Sequence, residues 1–217
     1  MNTTSRQHFP IRHNPVHLTY RLHGSIPVKY EEELLFKRQK AIDKAHAEAN
    51  TYPPELAAIY LSNQLFDIEA RYDLAMDKYL HSNSNGPYHL STPAIAREVL
   101  ASYQFLQNSG AVYVYVICVM PNHVHAVVRC PDELEFVDPG LLMSRHKSFT
   151  AKKCNAILGL TGLPFWDKNY YDRTVRNGKF ETVMWYVLNN PVKAGLTDDW
   201  RKWPYTWLNP EYALLFT

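Results

Sequence analysis

Residues 112–129 constrain the fold more than any other part of the chain. Residues 112–120 (VYVYVICVM) are a run of β-branched, aromatic and aliphatic side chains, with the length and composition of a central strand. Pro121-Asn122 then supplies a turn, and residues 123–129 (HVHAVVR) read as the return strand, so the two predict an antiparallel hairpin. A strand this apolar must be covered, and the flanking sequence carries the helices to do it.

Upstream, residues 15–23 (PVHLTYRLH) alternate Val16, Leu18, Tyr20 and Leu22 with His17, Thr19, Arg21 and His23, the period of a half-buried strand that should open the sheet. Gly24, Ser25 and Pro27 end it. From Tyr30 to about Leu80 the pattern is helical, interrupted at Tyr52-Pro53-Pro54, where successive prolines forbid a continuous helix. This predicts a helical insertion at about 31–80. Asn83-Ser84-Asn85-Gly86-Pro87 is a loop, and Ser91-Thr92-Pro93 precedes a helix over 94–107. A helix is expected over 141–158 with Gly159 as its stop, and another over about 179–189 that Pro191 ends. Three strands and these helices predict an α+β fold with an antiparallel sheet and packed helices, a single domain over 1–217 with the insertion inside it.

The net charge of +2 hides an uneven distribution. Residues 141–180 hold eight Lys or Arg (145, 147, 152, 153, 168, 173, 176 and 179) against Asp167 and Asp172, a local excess of +6, whereas residues 31–80 hold ten acids and six bases. The basic stretch suits a phosphate-bearing partner, although an ordinary solvated helix face would look the same. Three cysteines without a Cys-x-x-Cys pair exclude a disulfide framework and a zinc ribbon, which fits a reducing cytoplasm. The first fifteen residues are polar and basic, and no run approaches the ~20 apolar residues of a membrane span, so secretion and membrane insertion are not expected.

Two local patterns could carry chemistry. His123-Val124-His125 sits on a predicted strand, where residues two apart project from one face and set two imidazoles side by side, as a divalent metal requires. The same spacing also describes two polar residues on an exposed sheet face. His13, His17, His23, His46, His81, His89 and His146 have no comparable arrangement and read as background. On the last helix, Tyr186 and Asn190 are four residues apart and share a face if the helix reaches that far. A core aromatic with a satisfied hydroxyl would show the same spacing.

Together with their flanks, these patterns resemble the REP-associated tyrosine transposases, in the superfamily of HUH single-strand nucleases and IS200-like transposases. The resemblance rests on Pro15-Val16-His17-Leu18-Thr19 with Gly24-Ser25-Ile26-Pro27, on Val119-Met120-Pro121-Asn122-His123-Val124-His125, and on Lys147-Ser148-Phe149-Thr150. Phe165-Trp166, Tyr170-Tyr171-Asp172-Arg173, Tyr186 and Asn189-Asn190-Pro191-Val192-Lys193-Ala194-Gly195-Leu196 follow in the family's order, trailed by Trp203-Pro204. It spans about residues 10–207 and is least clear over 31–80. The resemblance implies a ferredoxin-like or RRM-like HUH core, with His123 and His125 as metal ligands, Asn190 as the third and Tyr186 as the nucleophile. It also implies Mg²⁺ or Mn²⁺ as cofactor, and nicking and strand transfer through a 5′-phosphotyrosine.

Single-stranded or hairpin DNA is the expected partner, and a monomer the expected state. Lys147, Lys152 and Arg173 are the candidate phosphate contacts, with Phe149, Phe165, Trp166, Tyr170 and Tyr171 interleaved as surfaces for bases. Phe165 and Trp166 suit the core equally, and Asp172 beside Arg173 suits a surface ion pair. Two rival readings share these residues: a catalytically silent, domesticated DNA-binding protein, and an unrelated metallohydrolase that uses the histidine pair with a metal-bound water.

Overall fold

The computed structural model describes residues 8–82 and 86–217; the rest of the polar N-terminus and part of the 83–87 loop lie outside the described residues. The chain divides into two compact units, Gly24–Gly86 and the residues on either side of it. Its elements run β1 (Val16–Arg21), α1 (Val28–Ala49), α2 (Pro54–Ser82), α3 (Pro93–Asn108), β2 (Tyr113–Val119), β3 (His123–Arg129), α4 (Pro139–Leu158), β4 (Tyr171–Thr174), α5 (Phe180–Leu188), α6 (Asn190–Lys193) and β5 (Thr206–Leu208). Among the described residues no helix is long and apolar enough to cross a membrane.

All five strands form one antiparallel sheet in the order β4-β1-β3-β2-β5. The succession β1-α3-β2-β3-α4-β4 is the split β-α-β arrangement of ferredoxin-like folds. The predicted hairpin is its centre, with Cys118 opposite His125 and Val119 opposite Val124. Strand alternation explains why both faces are covered. Leu18 and Tyr20 of β1, Val124, Ala126 and Val128 of β3, and Ile117 and Val119 of β2 share a core cluster with Ile95, Val99 and Tyr103 of α3 and Leu142 and Met143 of α4. On the opposite face, Val116 and Cys118 of β2 and Val127 of β3 pack with Met184, Val187 and Leu188, which recur along α5 at the spacing of one helix face.

The central run is not the uninterrupted strand that its composition predicts. Val114 pairs with Val128 and Val116 with Val127, so Tyr115 is the extra residue of a β-bulge. The bulge resets the alternation: Val114 joins the α3/α4 core, while Tyr115 and Val116 join the core beneath α5. Two short strands, β4 and β5, were not expected from the sequence.

Helix termini follow their chemistry. The Asp138 carboxylate accepts from the Leu141 amide, Pro139 fills a first-turn position that needs no donor, and Gly159 closes α4 with φ 69°. The C-terminal helix differs from expectation. Pro191 does not end helical structure: α5 stops at Leu188, and one further turn, α6, carries Pro191 in its own first turn, where no intrahelical N–H is required.

The Gly24–Gly86 unit is an antiparallel helical hairpin. Tyr30 packs on Tyr79, Arg38 pairs with Glu69, and the Tyr60 hydroxyl donates to Glu48, a ladder in which the early residues of α1 meet the late residues of α2. Tyr52-Pro53 falls in the turn between them, as the paired prolines require.

A candidate active site on one face of the sheet

The register of β1 against β3 sets Thr19 opposite His125 and Arg21 opposite His123. Directly opposed residues of antiparallel strands share a face, so His17, Thr19 and Arg21 join His123 and His125 on the side that carries α5. The register of β4 against β1 adds Arg173 opposite His17 and Tyr171 opposite Thr19. The polar half of β1's alternation, which predicts solvent exposure, instead builds a buried polar floor: His17, Arg21, His123 and His125 are each under a tenth exposed.

Both motif histidines are oriented through Nδ1. For His123 the partner is its sequence neighbour, the Asn122 side-chain oxygen, at 2.6 Å. An Nδ1–H that donates there leaves the lone pair on Nε2. For His125 the Nδ1 atom lies 3.1 Å from His17 Nε2 and 3.1 Å from the Thr19 hydroxyl. The two motif rings are perpendicular, with centroids 4.8 Å apart. His17 stacks on His125 at 5.2 Å, and burial, the adjacent His125 and Arg173 push its pKa well below the ordinary histidine value. His17 was read from sequence as background; here it contacts a motif histidine directly.

Tyr186 of α5 meets this floor edge-on, its ring centroid 5.9 Å from that of His125 and 5.8 Å from that of His17. Met184, Val187 and Leu188 anchor the helix in the core and leave Tyr186 half-buried over the histidines. One turn on, Asn190 Nδ2 donates to the Tyr186 carbonyl at 3.0 Å. Its Oδ1 is buried and makes no hydrogen bond among the described residues. Lys193 Nζ lies 4.2 Å from the centre of the Tyr186 ring. The donor set therefore fits a divalent cation: two imidazoles held through Nδ1 and a buried amide oxygen lacking a partner.

The predicted phosphate contacts are dispersed. Arg173 lies on the site face beside His17. Asp172, its neighbour, points to the opposite face by strand alternation and pairs with His8 at 2.8 Å, so the two do not form the surface pair that their adjacency suggested. Lys152 is exposed on α4. Lys147 is instead turned into a loop, where its ammonium donates to the Asp167 and Asn169 carbonyls at 3.0 and 2.7 Å, and burial lowers its pKa to about 8. Of the interleaved aromatics, Phe165, Trp166 and Tyr170 are buried, while Phe149 is half exposed.

Residues 88–190 match the family model described as "Transposase IS200 like". Over that segment the chain is similar to the IS200-like transposases. The match covers the hairpin, both motif histidines, Tyr186 and Asn190, and leaves β1 outside. The chain also has the fold of a solved protein described as "Structure of the REP associates tyrosine transposase bound to a REP hairpin". That likeness has a TM-score of 0.52 at 14% identity, over 94% of this chain and 81% of that one. The search of curated proteins gives no match.

Sequence reasoning missed His17 and Thr19 as neighbours of the motif. Their one signal is the alternation of β1, which sets two polar groups on the face away from Leu18.

Proposed function

We propose that this protein is a DNA-acting transposase that nicks single-stranded or hairpin DNA and rejoins strands through a covalent 5′-phosphotyrosine on Tyr186. The observation that carries the reading is the approach of the Tyr186 ring to the face that holds His123 and His125. A divalent cation, Mg²⁺ or Mn²⁺, held by His123, His125 and Asn190 would polarise the scissile phosphate and offset charge in the transition state.

The Tyr186 oxygen attacks phosphorus, the bond to the 3′ oxygen breaks, and that oxygen leaves with a proton as a free 3′-hydroxyl. Because a phenolate with an ordinary pKa of ~10 is a competent leaving group, the same or another 3′-hydroxyl can reverse the step without ATP. Lys193 and Arg173 bring positive charge to the ring and to the sheet face, where the phosphate must arrive. The REP hairpin in the description of the structurally similar protein supports the choice of a hairpin substrate. We read Gly24–Gly86 as an insertion within one transposase domain spanning 1–217, and the active form as a monomer.

The test is incubation of the protein with Mn²⁺ and a DNA hairpin bearing a single-stranded flank. A denaturant-resistant protein–DNA adduct should form, and Tyr186→Phe should abolish it. An adduct that persists in that variant excludes Tyr186 as nucleophile; DNA binding with no adduct under any divalent cation favours a silent binding protein.

A further inference from the structure

We infer that His17 is a positioning residue, which holds His125 in the orientation and tautomer that a metal ligand needs. The inference rests on the proposed function and adds a residue outside the segment that the family model matches.

Two ring nitrogens 3.1 Å apart share one proton, so one donates and the other accepts. For His125 to offer its Nε2 lone pair to a cation, the proton must sit on its Nδ1, and His17 Nε2 must accept. The Thr19 hydroxyl, 3.1 Å from the same Nδ1 and 3.5 Å from His17 Nε2, closes a three-membered polar cluster around that proton. Such outer partners fix the tautomer and ring angle of a ligating histidine and raise its basicity. His123 obtains the equivalent bond from the residue beside it. His125 obtains it from a strand more than a hundred residues earlier, which joins the site to the edge of the fold that also carries Arg173.

The His17 ring also packs against both the ligand and the nucleophile, stacked on His125 at an interplanar angle of 23° and meeting Tyr186 edge-on at 76°. Its loss removes both the acceptor and that packing.

The experiment uses the full chain as wild type, His17→Leu, His17→Gln and Thr19→Val. Mn²⁺ affinity is measured by calorimetry without DNA, and adduct formation is followed against Mn²⁺ concentration. His17→Leu keeps bulk but no acceptor, and should weaken Mn²⁺ binding by about 10- to 100-fold. Its adduct curve should shift to higher Mn²⁺ more than its rate at saturating Mn²⁺ falls. His17→Gln, whose side-chain oxygen can accept, should recover most of the affinity. Thr19→Val should show a severalfold loss. A purely structural role would lower thermal stability and leave the Mn²⁺ constant of the folded protein unmoved.

Wild-type affinity in every variant that unfolds cooperatively overturns the assignment of His17 while leaving the proposed function intact. A wild-type protein that neither binds Mn²⁺ nor forms an adduct overturns both.

Discussion

The two faces of the sheet treat histidine in opposite ways. On the α3/α4 face His146 is closed: its Nε2 meets the Tyr20 hydroxyl at 2.6 Å and its Nδ1 meets Ser102 at 2.9 Å, all within an apolar core. On the α5 face the Nδ1 atoms of His123 and His125 make the contacts described above, and a tyrosine and an amide oxygen stand nearby. Burial is nearly complete in both places, so burial does not distinguish a structural histidine from a ligand. The distinction lies in what surrounds the ring: two hydroxyls within an apolar core for His146, a tyrosine and a buried amide oxygen for the motif pair.

The sharpest break between the faces should appear in activity. Replacing His125 by Ala removes a ligand and should reduce adduct formation by about 10³-fold or more, with little change in thermal unfolding. An equivalent cut on the other face, Ile117→Ala, deletes a fully buried side chain from the α3/α4 core and should cost about 2–5 kcal/mol by urea denaturation. At temperatures where that variant remains folded, its adduct yield should stay close to wild type. If Ile117→Ala lost cleavage while folded, the division of labour between the faces would be wrong.

The acid limb of stability gives the next largest contrast. Burial, with Lys147 adding a smaller push, lowers the His146 pKa from 6.5 to about 3. Between those values the unfolded chain binds a proton at this residue and the folded chain does not, so the folded state loses stability as pH falls from 6.5 toward 3 and loses none above 6.5. The effect is on the order of a few kcal/mol over that window. Urea denaturation at pH 7 and pH 4.5 should therefore show a shallower pH dependence in His146→Gln than in wild type. An unchanged difference between the two pH values would mean that His146 charges freely in the folded protein.

The contrast between faces also explains what the sequence could reveal. The hairpin was legible because β-branched and aromatic residues run without interruption to a Pro-Asn turn, and the helical hairpin because the Pro53-Pro54 break between its helices is local. The bulge at Tyr115 was not, because every neighbouring residue is apolar and either register buries something. The strand at Tyr171–Thr174 is four residues of mixed polarity at a sheet edge, and it pairs only because β1 is already there. Tyr186 and Asn190 could be named only through the family resemblance of the motifs around them, since their four-residue spacing suits core residues equally; in the structure Tyr186 stands over the histidine face and Asn190 bonds to its carbonyl. His17 could not be, since its partner lies on another strand and a lone histidine on an alternating strand carries no local mark of function.

The same alternation makes the smallest prediction the most discriminating between candidate phosphate contacts. Arg173 shares the site face with His17, whereas Lys147 is committed to loop carbonyls and Lys152 lies on the exposed side of α4. Arg173→Gln should weaken hairpin binding by roughly 1 kcal/mol and lower the slope of log affinity against log salt by about 1, as expected for one lost phosphate contact. Lys152→Gln should change both less. Lys147→Gln should leave the salt slope unchanged and lower thermal stability instead, because its cation ties the loop before β4 to α4. A salt slope that falls in Lys147→Gln as far as in Arg173→Gln would mean that DNA draws this lysine out of its loop, and that the basic segment of 141–180 acts as one surface rather than as a single arginine on the active face.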